Sequence, residues 1–116
     1  MTKLTETEGH VRADLSNLHA AHPSAMGAFM ALHQEVVADR ALSTTAKELI
    51  ALALAVNSHC DGCIAVHAKA ALDAGATRDE ITDALGVSVL MGGAPAAVYA
   101  AEALTAVDEF TGGSSE

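Results

Sequence analysis

Apolar residues return along this chain at intervals of three and four, while strict alternation of apolar with polar positions is nearly absent. That spacing predicts helices almost throughout and no sheet. A first helix is expected over about residues 9–21, with Val11, Leu15 and Leu18 on one face. Pro23 suits the first turn of a second helix, which Met26, Phe29, Met30, Leu32 and Val36 carry to about residue 39. A third is expected from about 45 to 57, carrying Leu49, Ile50, Leu52, Ala53 and Val56, with Thr45 and Glu48 spaced as a capping box. A fourth runs from about Cys60 to Ala74 and stops at Gly75, the residue type that accepts the left-handed conformation past a helix end. Thr77 and Glu80 are spaced as a second capping box for a fifth helix to about residue 91. Gly92 and Gly93 interrupt the pattern, Pro95 restarts it to about Phe110, and "TGGSSE" is expected to fray. The fold class expected is all-α: one compact bundle of about six helices spanning residues 1–116, with no internal repeat and no dividing linker.

Composition sharpens this picture. Hydrophobic residues make up 51% of 116, yet there are only two Phe, one Tyr and no Trp. A core built from small aliphatic side chains favours close approach between helices. So much apolar surface on a small domain also predicts burial against further copies, hence a homo-oligomer. The net charge of −9, with six scattered Lys and Arg, excludes the basic cluster that nucleic acid demands. Apolar runs are broken by charges, Gly or Pro before they reach the roughly 18 residues of a membrane span. The opening "MTKLTETEGH" is polar and has no hydrophobic signal region, so a cytoplasmic location is expected.

The chemistry concentrates in "NSHCDGCIAVH", residues 57–67, which holds both cysteines and two of the six histidines. On a helix, residues three and four apart share a face, with Cβ atoms about 5–6 Å apart. Cys60, Cys63 and His67 therefore lie on one stripe at the amino-terminal end of the fourth helix. Unpaired amide groups there favour a thiolate, drawing a cysteine below its free pKa of about 8.5. A thiolate attacks peroxide oxygen to give sulfenic acid, and a neighbouring thiol condenses with that to a disulfide. Zinc is the competing use, with Cys60, Cys63 and His67 as ligands and His59 or Asp61 as a fourth. Structural zinc usually serves modules without a core of their own, and this chain has ample core and no second ligand cluster. The plainest alternative is an ordinary patch of helix with a solvated histidine.

"KELIALALAVNSHCDGCIAVHAKAALDAGATRDEI" resembles the signature of the carboxymuconolactone decarboxylase superfamily, in its AhpD-like alkylhydroperoxidase branch. That signature is a Glu, eleven residues, C-x-x-C, and a His four positions after the second Cys. Here those positions are Glu48, Cys60, Cys63 and His67. The resemblance covers about residues 40–105 and implies an all-helical subunit that forms homotrimers or homohexamers, with its site near a subunit interface. It also implies reduction of a small hydroperoxide by a Cys60–Cys63 dithiol/disulfide cycle, with Glu48 and His67 as proton relay. No metal or organic cofactor is implied, and electrons would come from a dithiol protein, lipoyl-bearing or thioredoxin-like. Cys63, nearest His67, is favoured as the attacking thiol. Glu48 has a second use as partner of Thr45 in a cap. Well-studied members carry a histidine immediately before the second cysteine, where this chain has Gly62. The alternative activities are decarboxylase-like lyase chemistry and non-catalytic redox sensing by a helical oligomer.

The remaining residues say less. His10, His19, His22 and His33 are expected on the surface, and Tyr99 in the core. Met91, Gly92, Gly93 and Pro95 are expected to form a junction where backbones approach closely, near the cysteines by the same resemblance.

Overall fold

The computed structural model describes residues 3–112. Among them it is all-helical: α1 (Lys3–Ala21), α2 (Pro23–Val37), α3 (Thr44–Asn57), α4 (Asp61–Asp73) and α5 (Arg78–Phe110). The end of the expected frayed tail, residues 113–116, lies outside the described residues.

The sixth helix expected from the sequence is the second limb of α5. Gly93 sits at φ 72°, ψ −155°, inside a range that is otherwise helical. Straight, 33 residues would run about 50 Å, yet the longest dimension of the molecule is 42 Å. Arg78 and Asp108, at opposite ends of α5, form a two-pronged ion pair at 2.7 and 3.1 Å. The chain therefore doubles back at Gly93. By length and composition α5 could cross a membrane, but each limb, at about 22–25 Å, falls short of a hydrocarbon layer about 30 Å thick. Gly92, beside the reversal, lies against the end of α3, where an added Cβ would stand 2.5 Å from Asn57 Oδ1. The expected helix junction is present at Gly93, and the close neighbour of Gly92 is the Asn57 side chain rather than a backbone.

The Arg78 guanidinium, hydrogen-bonded to Asp108, holds that carboxyl below its ordinary value. A depressed folded-state value gives stability that is present above the unfolded value of about 3.9 and is lost as pH falls through the lower, folded one. The Tm advantage of the parent over Asp108→Asn, followed by thermal unfolding against pH, is thus expected to shrink across that acidic window. A gap that stays constant would show that the ion pair does not hold the limbs. The pair is largely exposed, so the gap itself is modest.

The core lies where α3, α4 and both limbs of α5 meet. Leu52, Ala55 and Val56 face Ile64, Ala65, Ala68 and Ala71, with Ile81, Leu85, Ala96, Ala100, Ala103 and Val107 closing around them. Each set keeps the three-and-four spacing of one helical face. α1 begins at Lys3, earlier than the apolar pattern predicts, because Leu4, Thr5 and Glu8 are its buried positions. Of its expected apolar face only Val11 is partly covered, while Leu15 and Leu18 are exposed. α2 places no residue in the core, and Phe29, Met30, Leu32 and Val36 all face outward.

Local polar contacts explain the helix ends. Thr77 and Glu80 form the expected capping box at the start of α5, and Gly75 adopts φ 96° after α4. The box expected at Thr45 does not form. Ser43 is the N-cap of α3, its hydroxyl accepting the Ala46 N–H at 3.0 Å. Asp39 accepts the Thr44 N–H at 2.6 Å, which fixes the start of the helix one residue early. Thr45 instead donates to the Ala74 carbonyl at 2.6 Å and ties the start of α3 to the end of α4. Glu48 is left free for another partner.

Candidate functional site

That partner is His67. Glu48 occupies the buried stripe of α3 with Leu52, Ala55 and Val56, and only 4% of it is exposed. A carboxylate enclosed this way requires a hydrogen bond, and Glu48 Oε1 has one with His67 Nδ1 at 2.7 Å. An ionised carboxylate only accepts, so Nδ1 donates and Nε2 is left to exchange a proton with whatever meets it. The contact crosses from α3 to α4, which the Ala-rich packing between them brings into reach.

Cys60 is the N-cap of α4, its sulfur accepting the Cys63 N–H at 3.2 Å. The two cysteines are joined as a disulfide across a Cα–Cα distance of 5.2 Å. Cys60 is half-buried and Cys63 exposed. His67 stands one helical turn beyond Cys63 on the same face. The four residues singled out from the sequence thus form two direct pairs, Cys60 with Cys63 and Glu48 with His67, linked along α4.

The neighbours of this arrangement divide into expected and unexpected. His59, at φ 54° just before Cys60, stacks on Tyr99 with ring centroids 4.7 Å apart and planes 2° from parallel. Tyr99 is half-buried against the core rather than enclosed by it. Among the described residues, no cluster of three or more His, Cys, Asp or Glu side chains is arranged to hold a metal. Gly62 is covered by α1: a Cβ there would stand 3.1 Å from Val11 Cγ2. A histidine at this position would have to push Val11 aside.

His33 is the residue the sequence does not reveal. Its ring lies 6.5 Å from that of His67, tilted by 41°. Both border an apolar groove of about 400 Å³ between α2 and α3, walled by Phe29, Leu32, Val36, Ile50 and Leu54. Nothing in the spacing of residues 33 and 67 signals this meeting, which depends on how α2 crosses α3.

Residues 23–106 match the model of the carboxymuconolactone decarboxylase family. The chain belongs to that family. A family protein from Legionella pneumophila, solved as a crystal structure, superposes with a TM-score of 0.90 at 40% identity, covering 94% of this chain and 97% of that one. An uncharacterized protein of Cupriavidus necator is 39% identical over 107 residues, 92% of this chain and 91% of its own. A family structure from Thermotoga maritima, at 24% identity and a TM-score of 0.79, covers 96% of this chain and 92% of that one and shares the fold. In this member of the carboxymuconolactone decarboxylase family, the matched region takes in α2, the dithiol turn and nearly all of α5, and leaves out α1.

Proposed function

We propose that the protein is a thiol-dependent peroxidase of the AhpD-like kind, reducing small hydroperoxides through Cys60 and Cys63. The observation that carries this reading is the half-buried Glu48–His67 hydrogen bond, one turn of α4 beyond Cys63. A carboxylate that orients an imidazole beside a thiol is the arrangement that activates a sulfur nucleophile.

In the reduced protein, His67 receives the Cys63 proton, with Glu48 stabilising the resulting imidazolium. The thiolate attacks the terminal peroxide oxygen; the S–O bond forms as O–O breaks, and the alkoxide leaves as alcohol once protonated. Cys63 is then sulfenic acid. The Cys60 thiol displaces its hydroxyl as water, giving the disulfide. A dithiol donor protein returns two electrons and two protons and is itself oxidised to a disulfide. Exposure suits Cys63 to meet both peroxide and donor. The Cys63 N–H, directed at Cys60 sulfur, stabilises Cys60 as the departing thiolate. The groove beside His67 suits the alkyl part of an organic hydroperoxide. The exposed apolar residues of α2 form a surface that a further copy would cover, which favours a homo-oligomer.

The deciding experiment counts free thiols in the reduced protein before and after one equivalent of hydroperoxide. Loss of two thiols per chain, restored by a dithiol, is the expected result; unreactive thiols would end the peroxidase reading. The family model supplies a second reading, lyase chemistry on a lactone acid, which would survive replacement of both cysteines.

A further inference from the structure

Both residues between the cysteines are held by α1, and the proton relay requires neither contact. Val11 packs over Gly62. Lys3 Nζ lies 2.9 Å from Asp61 Oδ2, with the Asp61 side chain 31% exposed. The other oxygen, Oδ1, is buried without a hydrogen-bond partner among the described residues. A carboxylate with one oxygen enclosed and unmatched is unfavourable for folding, so its place inside the dithiol turn calls for a reason.

We propose that Asp61 is a positioning residue for the dithiol: its charge, partly offset by Lys3, sets how readily Cys60 and Cys63 ionise and how strongly the disulfide oxidises a donor. The inference rests on the pair being redox-active, not on peroxide being its substrate. A negative charge beside a sulfur disfavours thiolate, and a cation paired with that charge relieves the effect. Lys3 approaches the carboxylate from α1, and its ammonium is held protonated by the hydrogen bond to Asp61, with Glu102 and Tyr99 of α5 acting in the same direction. The cysteines flank it in the chain, and His59 is turned onto Tyr99. In reduction, a donor thiolate bonds to one sulfur as the S–S bond breaks, and the other leaves as thiolate. The donor's second thiol then releases the first sulfur as it closes its own disulfide. A less acidic leaving thiol slows the first of these steps and makes the protein a weaker oxidant.

The test uses the full chain as Asp61→Asn, Lys3→Met and the double variant. Thiolate is titrated by ultraviolet absorbance and by iodoacetamide labelling, and the disulfide is equilibrated against a glutathione redox buffer. Asp61→Asn is expected to speed labelling at mildly acidic pH by about threefold, a shift of half a pKa unit, and to move the glutathione equilibrium toward the dithiol. Lys3→Met moves both the opposite way, and in the double variant the loss of Lys3 has no further effect. Unchanged labelling and equilibrium in the single variants, even with a lowered Tm, would reduce the ion pair to a tie between α1 and α4 and overturn the proposal. A Lys3 effect that persists without the carboxylate overturns it too. Should Asp61→Asn fail to fold, Lys3→Met decides alone. Shifts of the expected sign in a protein that consumes no peroxide would sink the peroxidase reading and leave this one standing.

Discussion

Cys63→Ser is expected to lower peroxide turnover by about 10³-fold or more while leaving the fold intact. A serine hydroxyl remains protonated at neutral pH, so the relay has no thiolate to produce. The exposed position tolerates the change, since no core contact is lost. Cys60→Ser should behave differently. Attack by Cys63 still proceeds once, but no second thiol displaces water, and the sulfenic acid persists until a donor or a trapping reagent reaches it. Peroxide consumption with a dithiol donor, alongside mass analysis after sulfenic-acid trapping, separates the two. Sustained turnover in Cys63→Ser would assign attack to Cys60, and sustained turnover in both variants would remove the two-cysteine cycle altogether.

Glu48→Gln is expected to slow the oxidation of the dithiol by about 10²-fold, within the range a general base contributes. Glutamine keeps the length of the side chain and a hydrogen bond to His67, but it gives the imidazolium no counter-charge. Glu48→Ala should be slower still and less stable by about 1–3 kcal/mol, since His67 Nδ1 loses its partner. Stopped-flow oxidation rates and thermal unfolding on the same preparations provide the check. A glutamine variant with full activity would make Glu48 a packing and hydrogen-bonding residue only. The start of α3 is unaffected either way, because Ser43 caps it.

The helical character of the chain is legible in its apolar spacing, down to the reversal at Gly92–Gly93. What misleads is surface against core: Leu15, Leu18, Phe29 and Leu32 repeat with the same period as the true core yet lie outside it. Period identifies a face; it does not say what covers it. The cysteine pair and His67 are legible because they are local to one helix. Glu48 carried a signal beyond its motif position, a charge on the same stripe as Leu52 and Val56, which demands a buried partner. Thr45 fits a cap by spacing alone, whereas competition from Ser43 and Asp39 decides the actual start. His33 meets His67, and Lys3 meets Asp61, only through the crossing of helices distant in sequence, and no local pattern carries that information.

The core itself has a consequence for how the protein tolerates change. Nine of its sixteen buried apolar residues among those described are alanines: 55, 65, 68, 71, 76, 96, 100, 103 and 106. Alanine freezes no rotamers when buried, so this interior forms with little side-chain entropy lost. In exchange, a larger side chain at the fully enclosed alanines of the helices, 65, 68, 71, 96, 103 and 106, has no free space to enter and strains the packing around it. Enlarging substitutions are therefore better borne at exposed positions of α1 and α2, such as Leu18 and Met30, than in the frame of α3, α4 and α5 that positions the two sulfurs.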